Sequence, residues 1–175
     1  LPNTLKQWKT ITGHVLLERY GMTEIGMALS NPLKGRRIPG FVGTPLPGVQ
    51  IRICSIDFDS NENPVSLDAE VPHGSEGELQ IKGENVFLEY WNNTEDTVSS
   101  FSKDGWFRTG DIASTENGVF KIWGRAAQDI IKTGGEKVSA NEIQYVLRSH
   151  PKIKECAVVG IQDKKWGEAV SVAII

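Results

Sequence analysis

Three short segments hold residues whose types and spacing can do chemistry. The first is Tyr20-Gly21-Met22-Thr23-Glu24. An aromatic ring can stack on a nucleobase, and a glycine lets backbone come close to a ligand. A threonine hydroxyl can bond a phosphate oxygen, and a carboxylate can hold Mg²⁺ between phosphates. The second segment ends in Thr109-Gly110-Asp111, where an Asp after a tight Thr-Gly turn can accept hydrogen bonds from two ribose hydroxyls. The third runs from Gly124-Arg125 through Lys132-Thr133-Gly134-Gly135-Glu136-Lys137. Its paired glycines permit a sharp turn beside a ligand, and its basic side chains suit phosphate or carboxylate. The glycine spacing is wrong for a Walker-type phosphate loop. Taken singly, each segment also reads as ordinary structure: a strand-end turn, an Asx-type turn or a Gly-rich hinge.

These groups need elements to hold them. Residues 4–11 carry Leu5, Trp8 and Ile11 at helical spacing, with Gly13 as the stop. Residues 15–17 read as a short buried strand leading into the Tyr20 turn, a usual place for a site in an α/β protein. Residues 31–48, rich in Pro and Gly, read as ordered loop, and 57–75 as a polar surface excursion. Residues 49–54, 78–82 and 118–123 read as strands of a small antiparallel sheet or distorted barrel. A new unit begins near Arg125. In it, Ser139 and Glu142 form a capping box, and Ile143, Val146 and Leu147 line one helical face ended by His150-Pro151. Residues 155–161 and 169–175 are its apolar strands, so this part reads as α+β.

The 175-residue chain, with 39% hydrophobic and 23% charged residues and a net charge of −3, has the balance of a soluble globular protein. That charge points to no nucleic-acid or membrane-surface partner, and no apolar run reaches the roughly 20 residues of a membrane span. Cys54 and Cys156, far apart, read as buried free thiols, and no Cys/His spacing suggests zinc. His14, His73 and His150 read as surface or packing residues, and the five tryptophans, including Trp91, Trp106 and Trp123, as packing rather than ligand-binding ones. The chain opens at Leu1 without Met and stops inside an apolar run, so both ends read as cuts, and oligomeric state is not legible.

In this order and spacing, the three segments resemble the adenylate-forming superfamily of acyl-CoA synthetases, firefly luciferase and peptide-synthetase adenylation domains. Residues 43–48 (GTPLPG) and 77–92 (GELQIKGENVFLEYWN) resemble its connecting motifs, so the likeness covers essentially the whole chain. The resemblance implies a fold of α/β and α+β class. Residues 1–125 would be the C-terminal part of the large AMP-binding domain, with a strand-end site and a small distorted β-barrel. Residues 126–129 would be a hinge, at Gln128 or Asp129, and 130–175 the start of the small α+β lid domain.

The resemblance also implies the chemistry. An acid attacks the α-phosphate of ATP to give an acyl-adenylate and pyrophosphate, and CoA then displaces AMP. Tyr20, Gly21, Met22, Thr23, Asp111 and Arg125 would bind ATP and AMP, with Tyr20 on adenine, Thr23 at the α-phosphate and Asp111 and Arg125 on the ribose. Glu24 would ligate Mg²⁺. Lys132 would serve the second half-reaction, and Gly134, Gly135 and Lys137 would line the CoA tunnel. Thr23, Glu24 and Lys132 are thus the candidate catalytic residues.

Many members of the family have Gly where this chain has Arg19. A guanidinium can bind a carboxylate through two parallel hydrogen bonds, which fits a short dicarboxylic acid; the other reading is a structural salt bridge with Glu18 or another acid. Residues 18–32 resemble malonyl-CoA synthetases, and 130–139 their animal mitochondrial branch, which implies malonate or methylmalonate as acid and the mitochondrial matrix as location. The alternatives are a medium-chain or aryl acid–CoA ligase, or a nucleotide-binding fragment without turnover. The family's phosphate loop and adenylation lysine would lie outside the chain, so the chain alone is expected to form no adenylate.

Overall fold

A computed structural model describes residues 2–59 and 63–175, and its contacts divide the chain into two units, Leu1–Ile122 and Trp123–Ile175.

The first unit opens with helix α1 (Pro2–Thr12), stopped by Gly13, which takes φ 72° and donates its N–H to the Lys9 carbonyl at 2.9 Å. Of its expected apolar face only Leu5 is buried; Trp8 and Ile11 are exposed. Residues 15–17 do not form the expected strand. The Val15 carbonyl accepts from the Arg37 guanidinium instead, and that of Glu18, just after the stretch, accepts from both the N–H and the side-chain amide of Asn31. The strand begins instead at β1 (Arg19–Met22), which pairs antiparallel with β2 (Gly26–Ser30), followed by β3 (Thr44–Pro45).

The second sheet contains β4 (Gln50–Phe58), β5 (Pro64–Glu70), β6 (Gly77–Lys82), β7 (Phe107–Glu116) and β8 (Val119–Arg125), in the order β5-β4-β6-β7-β8. The surface excursion expected over 57–75 therefore contains a strand. Its Ser66 and Asp68 looked like loop residues, but both bond the buried side-chain amide of Gln80 on β6. β7 and β8 are joined by Asn117-Gly118, both at positive φ, the two-residue turn whose twist matches a hairpin.

The sheet is open, and the described residues form no closed barrel. Asp68 on edge strand β5 reaches across to pair with Arg108 on β7. At the other edge, Val42 and Gly43 bond the backbone of Phe120. Ile25, Ala28 and Leu29 from the first hairpin pack with Ile53, Leu79, Ile81 and Phe107 from the second sheet in one core. Each such large side chain contributes about 1.5–3 kcal/mol by leaving water. Cys54 lies in the same sheet as a free thiol, and burial pushes its pKa up to about 11.

The second unit is a four-stranded sheet in the order β10-β9-β12-β11 with one helix. Its elements are β9 (Ile130–Thr133), β10 (Glu136–Ser139), α3 (Ala140–Leu147), β11 (Cys156–Asp163) and β12 (Gly167–Ile174). Ser139 caps α3 by accepting from the Glu142 N–H at 3.3 Å, and its hydroxyl donates to the Trp123 carbonyl. Ile143 and Leu147, one turn apart, pack on Ile131, Ala140 and Val158. Val146, expected on that face, is turned outward and 60% exposed, since it lies about 100° away from Leu147 on the helix. All strand pairings with a resolved register are antiparallel, so both units are α+β rather than α/β.

Candidate functional site

The Tyr20 segment is a β-hairpin. Met22 pairs with Gly26 across a three-residue loop, Thr23-Glu24-Ile25, and the Ile25 N–H closes the turn onto the Met22 carbonyl at 3.2 Å. Ile25 is fully buried and anchors the loop, which leaves Thr23 exposed and Glu24 half-buried. Gly21 is needed for a close approach of protein backbone. A Cβ there would stand 2.1 Å from the Gly26 carbonyl oxygen.

The Asp111 segment is a β-bulge inside β7, not the free-standing turn its sequence suggests. Glu78 pairs with Ile112 and Gln80 with Arg108, so Leu79 alone opposes Thr109, Gly110 and Asp111. Gly110 takes φ 70° and donates to the Glu78 carboxylate at 3.2 Å. The Thr109 hydroxyl donates to the Leu79 carbonyl at 2.7 Å and accepts from the Asp111 N–H at 3.1 Å. Bulges re-aim side chains, and here the buried Asp111 carboxylate meets the Tyr20 hydroxyl at 2.6 Å. Two of the three motifs therefore converge in the first unit.

A residue that the sequence reading passed over supports Glu24. The Tyr90 hydroxyl donates to Glu24 Oε1 at 3.0 Å. Tyr90 lies in the segment between β6 and helix α2 (Thr94–Ser99), which is clamped to the hairpin loop at two more points. Asn85 donates its side-chain amide to the Ile25 carbonyl at 2.8 Å, and the Phe87 N–H donates to the Glu24 carbonyl at 2.7 Å. Phe87 in turn packs against Tyr90, Phe101 and Phe107. Burial, then the Glu24 carboxylate, raises the Tyr90 pKa, so the phenol stays a proton donor across the physiological range. The only sequence signal was the connecting motif containing it, whose 66-residue separation from Glu24 hid the pairing.

Arg19 is exposed on β1 and makes no ion pair among the described residues. The neighbouring Glu18 carboxylate instead accepts from the Gly40 N–H at 3.1 Å, and burial raises its pKa. Trp91, expected to pack, is 86% exposed, whereas Trp106 stacks under the Arg52 guanidinium.

The remaining candidates lie in the second unit. Gly134 and Gly135, both at positive φ, turn β9 into β10 and place Lys132 directly opposite Lys137. Arg125 starts a closed turn: its carbonyl accepts the Asp129 N–H at 2.9 Å, and its own N–H donates to Asp129 Oδ2 at 2.8 Å.

The described residues hold no cluster of three or more metal-ligating side chains. Mg²⁺ held among phosphates needs only one or two carboxylates, which Glu24 fits, with one oxygen bonded to Tyr90.

A strand-borne phenol and carboxylate thus stand beside a hairpin loop of Thr and Glu. The family model of the AMP-binding enzyme matches residues 1–91, and that of the AMP-binding enzyme C-terminal domain matches 142–175. The chain belongs to the AMP-binding enzyme family.

It is similar to mitochondrial malonate–CoA ligase ACSF3 of Homo sapiens, 51% identical over 181 residues, covering 97% of this chain and 31% of that protein. Among solved structures it is similar to ATP-bound MatB from Rhodopseudomonas palustris, at 39% identity and a TM-score of 0.88, covering 99% of this chain and 33% of that one. It is also similar to a malonyl-CoA ligase with methylmalonyl-CoA and AMP bound, at 38% identity and a TM-score of 0.60, covering 99% of this chain and 35% of that one. The chain spans about a third of the length of these relatives.

Proposed function

We propose that the full-length protein carrying this chain is an ATP-dependent malonate–CoA ligase. Malonate or methylmalonate attacks the α-phosphorus of ATP, forming an acyl-adenylate and expelling pyrophosphate. The CoA thiol then attacks the acyl carbon, giving the thioester and AMP. The observation that carries the reading is the meeting of Tyr20, from one motif, with Asp111, from another 91 residues away.

In this reading the Tyr20 ring stacks on adenine while its hydroxyl fixes the Asp111 carboxylate, which accepts from ribose hydroxyls, and the Arg125 guanidinium donates to ribose oxygens. Gly21 and Met22 form the strand beside the nucleotide, and the exposed Thr23 hydroxyl donates to the α-phosphate. Mg²⁺, held by Glu24 and phosphate oxygens, would neutralise charge on the polyphosphate. Displacement at phosphorus depends mainly on such positioning and charge neutralisation. Arg19, without an ion-pair partner among the described residues, receives the distal carboxylate of malonate. Lys132 acts at the thioester stage, with Gly134, Gly135 and Lys137 along the path of CoA. Residues 126–129 are the hinge between the AMP-binding part and the lid, and the mitochondrial matrix is the location, on the likeness to ACSF3.

The test follows AMP release by the full-length protein with ATP, Mg²⁺ and CoA, offering malonate, methylmalonate, acetate and a medium-chain acid separately. Strong preference for malonate is expected. Preference for a monocarboxylic or aryl acid keeps the ligase and discards the substrate, and no AMP with any acid leaves a nucleotide-binding protein without turnover.

A further inference from the structure

We propose that Trp166 and Glu168, at the start of β12, are positioning residues for thioester formation, holding the β9–β10 hairpin that carries Lys132 and Lys137. The assignment rests on the ligase reading above.

The hairpin needs such support. β9 pairs with β12 at a single residue pair, Thr133 with Gly167. Lys132 and Lys137 stand directly opposite each other on β9 and β10. A two-residue glycine turn joins them, and glycine confers no stiffness of its own.

Three consecutive residues of the second hairpin supply the missing attachment. The Trp166 carbonyl accepts the Gly134 N–H at 2.8 Å. Gly167 makes the one ladder pair. Glu168 accepts the Lys132 N–H on Oε2 at 2.6 Å, so a side-chain carboxylate takes the place of a ladder carbonyl. The backbone at 132, 133 and 134 is thus held residue by residue.

The surroundings are shaped for these contacts. The Trp166 ring lies against Gly134 so closely that a Cβ at 134 would be 3.0 Å from its nearest ring carbon. Lys165 Nζ stands 4.7 Å over the same ring. Glu168 reaches β9 through space left by Gly160 on β11, where a Cβ would fall 2.5 Å from its carboxylate. None of the Lys165, Trp166 and Glu168 side chains belongs to the nucleotide site of the first unit, so their loss should spare adenylate formation.

The experiment measures the two half-reactions of the full-length enzyme separately: malonate-dependent ATP–pyrophosphate exchange, and single-turnover capture of preformed adenylate by CoA. Glu168→Ala should slow capture by about 10- to 100-fold, the cost of a small misplacement of reacting groups, while exchange stays within about twofold of wild type. Glu168→Gln should restore capture, because an amide oxygen still accepts the Lys132 N–H. Gly160→Ala, which displaces the carboxylate without removing it, should reproduce the selective loss.

Exchange at the wild-type rate also shows that each variant is folded. Equal loss of both half-reactions in Glu168→Ala and Gly160→Ala, or no loss in either, overturns the positioning role. Wild-type enzyme that performs neither half-reaction defeats the ligase reading itself, and this assignment with it.

Discussion

The Tyr20 hydroxyl donates to Asp111 Oδ2 across 2.6 Å, tying the first β-hairpin to the bulge in β7. One group therefore serves two orientations: the ring plane of Tyr20 and the carboxylate of Asp111. Tyr20→Phe keeps the ring and removes the hydroxyl, and with it this bond to a charged acceptor, which is worth about 1.5–3 kcal/mol. The KM for ATP in pyrophosphate exchange should rise about tenfold, and the thermal midpoint should fall, because the buried Asp111 carboxylate loses a donor. An unchanged KM would remove Asp111 from the nucleotide site.

Tyr90 bonds one oxygen of the Glu24 carboxylate. In Tyr90→Phe the carboxylate loses its fixed orientation but keeps its charge. The Mg²⁺ concentration giving half-maximal exchange at fixed ATP should rise about three- to tenfold, and the KM for CoA should stay constant. A shift in the CoA KM with none in Mg²⁺ dependence would break the link to Glu24.

Arg19 offers a guanidinium at the end of the same hairpin. Arg19→Gly should lower kcat/KM for malonate by about 10- to 100-fold and leave that for acetate within about twofold, since only malonate has a second carboxylate to bind. Equal losses on both acids would sink the assignment of Arg19 to substrate.

Gly21 has no room for a side chain, with the Gly26 carbonyl 2.1 Å from where a Cβ would stand. Gly21→Ala must push β1 and β2 apart, costing about 1–3 kcal/mol, visible as a lower denaturant midpoint. A midpoint equal to wild type would show that the hairpin yields freely.

Acid should loosen the five-stranded sheet. The hydrogen bond from Arg108 is the largest influence on Asp68, and it holds the carboxyl below its ordinary 3.8. A depressed folded-state pKa means that the ionised form is favoured by folding. This contribution is therefore complete above about pH 4 and disappears as pH falls through the folded-state value. Asp68→Asn should flatten the thermal stability profile below pH 4. An unchanged profile would place the acid-labile carboxylates elsewhere.

Much of the site was legible because its signals are local. Tyr20, Thr23 and Glu24 lie within five residues, and the alternating residues of β4, β6 and β8 declare strands through a period of two, although β6 proves buried at five consecutive residues. The Ser139 cap and the Gly134-Gly135 turn are likewise set by neighbours in sequence, since both satisfy constraints of single backbone positions. Such features need no knowledge of what packs against them.

β5 could not be read that way, because its polar Ser66 and Asp68 are strand residues only through Gln80 on another strand. Residues 15–17 failed in the opposite sense: their apolar side chains make no strand, and the Val15 carbonyl bonds Arg37 instead of a ladder. Asp111 looked like part of a turn, and only the register between β6 and β7 made it a bulge. Residue types and short spacings thus determined which chemistry the chain can carry. Which groups meet, Tyr20 with Asp111, Tyr90 with Glu24 and Glu168 with the backbone of Lys132, was decided by tertiary structure alone, because each pair is 36 to 91 residues apart and is joined only by the packing of sheets.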